Sequence, residues 1–418
     1  MEYFPLSIAG LVMTISALIL VSRRAVLSPL FLTIICFLIC GVLTVWPQMI
    51  YSGNRNYPIS TTTQVYLLFA SFPFLAAAIL TRRPYLLAVT PDYGWRFFPQ
   101  RVWLMIFCGI CVLDPMLSIA LHGRVGLAQG NQGLGEGGGA HSAVFTPITF
   151  IAWAAAAAAC YMVMLAMISR RLTLWEYCRL YPRQAGMAFV ALAASSLSGN
   201  RFLFLSQGVV FVCSMALVGK LKMRLLVAGA VAGMMLFVVL GNFRFGKVDI
   251  RDNIETLTNV GFIDSTKGWV VSYFEPNIPN LDNFMSRHPS PTFGVGWVTS
   301  LLPSGLVDLL HLVRTNAIQW MGDNGLLAHR GMTFRTWYPD LIMDFGVFLS
   351  QVVAGAALVF CALTYNSALR SPRRLVLFMV CTPLLLFSPL LTAFYSLQHV
   401  APFLLLWLIR ERSAEEEE

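Results

Sequence analysis

Apolar runs recur along nearly the whole chain, over residues 6–22, 26–48, 63–81, 102–121, 145–168, 185–198, 202–219, 225–242, 341–363, 375–391 and 397–409. As helices they have the reach to cross, or nearly cross, a bilayer core about 30 Å thick. The pattern predicts an all-α polytopic integral membrane protein of about 11 transmembrane helices. One long interruption, residues 243–338, stays polar while keeping many aromatics. The chain thus divides into helices one to eight over 1–242, a large loop or cap over 243–338, and helices nine to eleven with an acidic tail over 339–418. No basic stretch precedes the first apolar run and no small-residue cleavage site follows it, so it reads as a retained span and not a signal peptide.

Composition sharpens this picture. The chain is 57% hydrophobic and 12% charged, against about a quarter charged in soluble domains. Its net charge of +9 would suit nucleic acid if the cations formed one surface. Eighteen of the 29 Lys and Arg instead fall in short clusters that alternate with the apolar runs, while the short connections on the other side hold only Arg55, Arg124 and Arg201. That asymmetry marks cytoplasmic loops. It excludes nucleic acid as a partner and puts the N-terminus and the long segment on the outer side of the membrane.

With this orientation all six histidines lie on or near the outer side, as do ten of the 20 carboxylates, between Asp249 and Asp344. The nine cysteines are scattered and almost all sit in apolar runs, so Cys108 and Cys111 read as packing residues despite their C-x-x-C spacing. Asp114 lies inside an apolar run, where an ionisable group is either functional or structurally paired. The glycine tract 126–139 reads as a linker or a lid; it lacks the Lys-Ser/Thr ending of a phosphate loop.

The long segment carries enough apolar surface, including Trp269, Tyr273, Phe284, Trp297, Trp320 and Trp337, to fold onto the membrane helices as a partly helical cap. Arg201, Arg244, Arg251, Arg330 and Arg335 stand at its edges. Arginine grips phosphate with a fixed fork of donors; the competing reading is that each snorkels to a lipid headgroup or meets a local carboxylate. His329 has the right ordinary pKa for a general base, the competing role being a plain surface residue. Asp340 and Asp344 share a face at a helix start, where Asp340 also suits the helix dipole. No metal-ligand spacing and no nucleophile elbow is present, so neither cofactor nor metal is expected.

Three stretches carry a resemblance: Ser198-Gly-Asn-Arg201 opening a span, Tyr273-Phe-Glu-Pro-Asn-Ile-Pro-Asn-Leu-Asp-Asn-Phe284 followed by Phe293-Gly294, and Thr333-Phe-Arg-Thr-Trp-Tyr-Pro-Asp-Leu-Ile-Met-Asp-Phe-Gly346. Together with the architecture, the chain resembles the bacterial oligosaccharide repeat-unit polymerases, the Wzy-type enzymes that build O-antigen, capsule or exopolysaccharide. The resemblance implies a GT-C-like membrane glycosyltransferase acting on undecaprenyl-diphosphate-linked oligosaccharides, beside membrane lipid, a chain-length regulator and a flippase. It implies Arg201 and Arg244 for the diphosphate; Arg251, Arg330 and Tyr338 are the further substrate-binding candidates. Where related O-antigen ligases carry a loop histidine, this chain has Thr333 and Arg335, with His329 earlier; His329, Arg335 and Asp340 are the catalytic candidates. The alternatives are an O-antigen ligase, which differs in acceptor, and a lipid-linked sugar transporter or flippase, which would be expected to show internal repeats.

Overall fold

The computed structural model describes residues 3–45, 58–82, 93–95, 100–122, 148–197, 201–218, 231, 235, 238–239, 247–248, 256–257, 264, 266–268, 273–288, 290–301, 317–327, 336–390 and 400–411. They are overwhelmingly helical. The helices are α1 Phe4–Ser22, α2 Pro29–Val45, α3 Thr61–Leu80, α4 Gln100–His122, α5 Thr149–Ser169, α6 Leu174–Leu180, α7 Pro182–Leu197 and α8 Arg201–Leu217. After these come α9 Asn277–Arg287, α10 Val295–Leu301, α11 Ala317–Asp323, α12 Tyr338–Ser367, α13 Pro372–Leu386 and α14 Leu405–Leu408. Among the described residues α1, α3, α4, α5 and α12 are long and apolar enough to cross a membrane, and Pro29–Val45 and Leu203–Leu217 are shorter apolar helices. Large apolar side chains such as Leu11, Leu18, Phe69, Met116, Ile119 and Phe348 face outward from this bundle. Water would penalise such a surface and lipid would not, so this is an α-helical polytopic membrane protein.

Two helix groups meet on a shared centre. α1, α2, α3 and α12 form one group, α4, α5, α7 and α8 the other, and α13 packs against α2, α5, α8 and α12. α5 is almost wholly buried because its run of six alanines, 154–159, presents so little bulk that α4, α7, α8 and α13 all approach it closely. Gly355 performs a similar service between α12 and α3: a Cβ there would stand 3.3 Å from the Pro73 ring.

The two ends of the bundle differ. At one end, here called the arginine end, Arg23 after α1 donates to the Ile79 and Thr81 carbonyls (2.6 Å to Thr81). Asn366 near the end of α12 accepts from the Arg82 N–H (2.7 Å) and donates to the Leu80 carbonyl (2.8 Å). Strand β1, Tyr93–Trp95, pairs antiparallel with β4, Ile409–Glu411, in register Tyr93↔Glu411, Gly94↔Arg410 and Trp95↔Ile409. The connection before α4 and the chain after α14 therefore lie at one end, as their charges predict. A second ladder joins β2, Lys247–Val248, to β3, Thr256–Leu257.

Three expectations change. The connection 170–183 contains α6, started by a capping box in which Thr173 accepts from the Glu176 N–H and Glu176 accepts from the Thr173 N–H; the Thr-x-x-Glu spacing was its sequence signal. The expected eleventh span, 397–409, shows a 3-10 turn Ala401–Leu404, the short α14 and then extended β4, so its described part is no continuous membrane-length helix. The expected ninth span begins earlier, at Tyr338, and breaks at Gly346 (φ 76°, ψ 171°), a backbone region that side chains disfavour. The eighth span, 225–242, lies outside the described residues apart from four positions.

Candidate functional site

The segment Tyr338–Ser367 opens with a buried first two turns, from Tyr338 to Asp344, before the Gly346 break turns the rest of the helix away. The break is tightly fitted: a Cβ on Gly346 would stand 3.2 Å from the Pro291 ring. Ahead of it, the two carboxylates one turn apart each receive a short cap helix. Asp340 accepts from the Ala317 N–H (3.0 Å) at the start of α11. Asp344 accepts from Thr292 Oγ1, the Gly296 N–H (3.1 Å) and the Trp297 N–H (2.8 Å) at the start of α10. A helix start leaves N–H groups without intrahelical acceptors, and a carboxylate satisfies them with a charge-assisted bond. A third carboxylate, Asp282 on α9, accepts from the backbone and hydroxyl of Ser60, the N-cap of α3. Three acids thus bind the cap to the bundle.

Beneath these clamps lies a buried polar and aromatic layer. The Trp337 N–H donates to the Ser388 carbonyl (2.8 Å), joining the exit of the cap to the end of α13. Tyr338 packs edge-on against Tyr66 (5.3 Å between centroids) and beside Phe37, while Tyr66 shares a 2.9 Å hydrogen bond with Ser350. Asn277 donates to the Tyr273 carbonyl (2.5 Å) and the Phe274 carbonyl (3.0 Å) and reaches Cys40 Sγ. Its Oδ1, with Thr336 Oγ1 and Ser388 Oγ, is buried without a hydrogen-bond partner among the described residues. Each such atom costs about 1–3 kcal/mol unless something binds it. Glu275 and Asn280 are buried in the same stretch. These amide and hydroxyl groups are neutral, and each oxygen can still accept a hydrogen bond.

Of the eight residues expected at the site, His329, Arg330, Arg335, Arg244 and Arg251 lie outside the described residues. Arg201 is the first residue of α8; its side chain also lies outside them. α8 packs on α13, whose far end carries the Ser388 carbonyl that meets the Trp337 backbone N–H. Tyr338 and Asp340 are each 1% exposed, so in this structure they hold the wall together from behind. The Asp340 carboxylate holds the start of the cap helix α11. Asp114 is likewise structural, accepting from Thr149 Oγ1 (2.6 Å) to join α4 to α5. Asn277, Thr336 and Ser388 escape a charge-led reading of the sequence because they are neutral; their burial without partners among the described residues is shared by Ser214 Oγ in α8, and it is their place under the cap that sets them apart. Glu275 was visible within its motif as an acid next to proline among aromatics. The chain matches no known family model, no curated protein and no solved structure.

Proposed function

We propose that this protein is a membrane glycosyltransferase that polymerises undecaprenyl-diphosphate-linked oligosaccharide repeat units on the periplasmic face of a bacterial inner membrane. In this reading the arginine end is cytoplasmic, the cap end is periplasmic, the apolar helices form a GT-C-like domain, and the cap covers the reaction site. The observation that carries it is the layer at the cap end: buried hydroxyl and amide groups lacking partners among the described residues, under a cap clamped by three carboxylates.

The chemistry is self-consistent. Outside the cytoplasm there is no nucleotide sugar, so the donor carries its leaving group as a lipid-linked diphosphate. An acceptor hydroxyl oxygen bonds to the anomeric carbon of the growing glycan while the bond from that carbon to the diphosphate oxygen breaks. Arg201 and Arg244, with Arg251 and Arg330 nearby, stabilise the charge that accumulates on the departing diphosphate. His329 takes the acceptor proton, and Arg335 orients the diphosphate or the acceptor. Replacing Arg201, Arg244 or Arg335 by alanine should lower polymerisation roughly 10²–10³-fold, read on a gel as single repeat units in place of long chains. Normal chain lengths in all three variants would overturn the reading. Repeat units accumulating on the cytoplasmic face would identify a transporter instead.

A further inference from the structure

At the arginine end, away from the cap, α13 and α14 border an open pocket of about 420 Å³ lined by Arg373, Arg374, Leu377, Leu406 and Trp407. That volume falls within the range of small-molecule sites, about 300–1,000 Å³. Both arginines are exposed on the first turn of α13. Arg373 donates from Nε and Nη2 to the Ile409 carbonyl, 3.1 Å each, which fixes its guanidinium at the rim. The Arg374 guanidinium makes no hydrogen bond or ion pair among the described residues. Opposite them, Leu377 and Leu406 are half-buried and Trp407 is 69% exposed.

Two permanently charged forks at one end of a pocket demand an anion, and phosphate matches their geometry best. The other end demands an apolar body: a free phosphate would leave Trp407, Leu377 and Leu406 facing water. A tryptophan beside arginines at the end of a membrane bundle is also the signature of the lipid headgroup level. A zwitterionic lipid would bring its own cation against the guanidiniums. The chain's own residues 415–418 are all glutamate and supply charge without apolar surface.

We propose that this pocket binds an anionic phospholipid, with Arg373 and Arg374 holding the headgroup phosphate and Leu377, Leu406 and Trp407 receiving the upper acyl chain. The inference does not rest on the glycosyltransferase reading. Because Arg373 also holds Ile409, whose strand pairs with Trp95, the bound lipid would brace the corner that ties the connection before α4 to the end of the chain.

The test uses the full-length protein in detergent with phosphatidylglycerol brominated on its acyl chain. Quenching of Trp407 fluorescence by the bromines is taken as the part of the signal that Trp407→Phe removes. Phosphatidylglycerol should quench it at lower concentration than brominated phosphatidylcholine, and R374Q should raise the half-quenching concentration about fivefold. R373Q/R374Q should raise it further. R374Q, whose guanidinium has no partner to lose, guards against misfolding, checked by an unchanged melting temperature. Equal quenching by the two lipids, or an unchanged half-point in R374Q, would overturn the proposal. So would a half-point that falls about tenfold when residues 415–418 are changed to glutamine, since the acidic tail would then be the occupant.

Discussion

The two ends of the bundle solve the same problem with opposite charges. At the arginine end helices finish, and their last carbonyls lack donors; Arg23 supplies them to Ile79 and Thr81, and Arg373 supplies them to Ile409. At the cap end short helices begin, and their first N–H groups lack acceptors; Asp344 and Asp340 supply those, and Asp282 binds the start of α3. Only one ion pair, Lys267 with Asp264, occurs among the described residues. Charged side chains here answer unfinished backbone more than they answer each other. The difference lies in burial: Asp340 and Asp344 are enclosed, whereas Arg373 and Arg374 face outward and remain able to hold something else.

This contrast makes the acids the more costly residues to lose. Asp344→Ala should destabilise most, by about 3 kcal/mol, because two backbone N–H groups and a hydroxyl lose a buried acceptor; thermal melting in detergent and protease cleavage within 290–301 would record it. Gly346→Ala comes next, at about 1–3 kcal/mol, from the positive φ and the 3.2 Å approach to Pro291. A melting temperature equal to wild type would mean that the break in α12 relaxes freely. Arg23→Gln should cost less, about 1 kcal/mol, because a half-buried donor can be replaced in part by water. Equal losses for Arg23→Gln and Asp344→Ala would erase the proposed asymmetry.

Asp340→Asn separates positioning from proton transfer. The amide oxygen still accepts from Ala317, so on the proposed polymerase reading polymer length should persist with activity within about tenfold of wild type, whereas loss of a proton-transferring group costs roughly 10²–10⁴-fold. The smallest effect belongs to Tyr177 on α6, whose phenol donates to Gln184 and is pushed up to about 12, from 10, by burial, with Arg170 opposing. Its folded-state value is raised, so its contribution is complete below pH 10 and is lost as pH rises towards 12. A pH-dependent melting curve should show that loss in wild type and lack it in Tyr177→Phe.

The sequence's legibility followed its physics. The apolar runs announced α1, α3 and α4 to within two residues at each end, since bilayer thickness fixes their length, while α5 begins four residues later than its run. The Asp-Phe-Gly346 at the cap exit was visible as a motif, but its meaning was not: the same spacing that puts Asp340 and Asp344 on one face serves a substrate wall and a pair of helix clamps equally well. α6 was signalled by Thr173 and Glu176, whereas the extended strand after α14 had no local signal, because its pairing partner lies more than three hundred residues earlier.

By itself, then, the sequence determined the membrane class, the helical bundle and the concentration of polar chemistry in the long segment, because hydropathy and charge asymmetry are summed over many residues and survive local error. Only the tertiary structure decided what individual polar side chains do. Whether a carboxylate is a reactive group or a cap, and whether Asn277, Thr336 and Ser388 have partners, depends on which elements meet around them. That meeting is fixed by long-range packing, which no short stretch of the chain encodes.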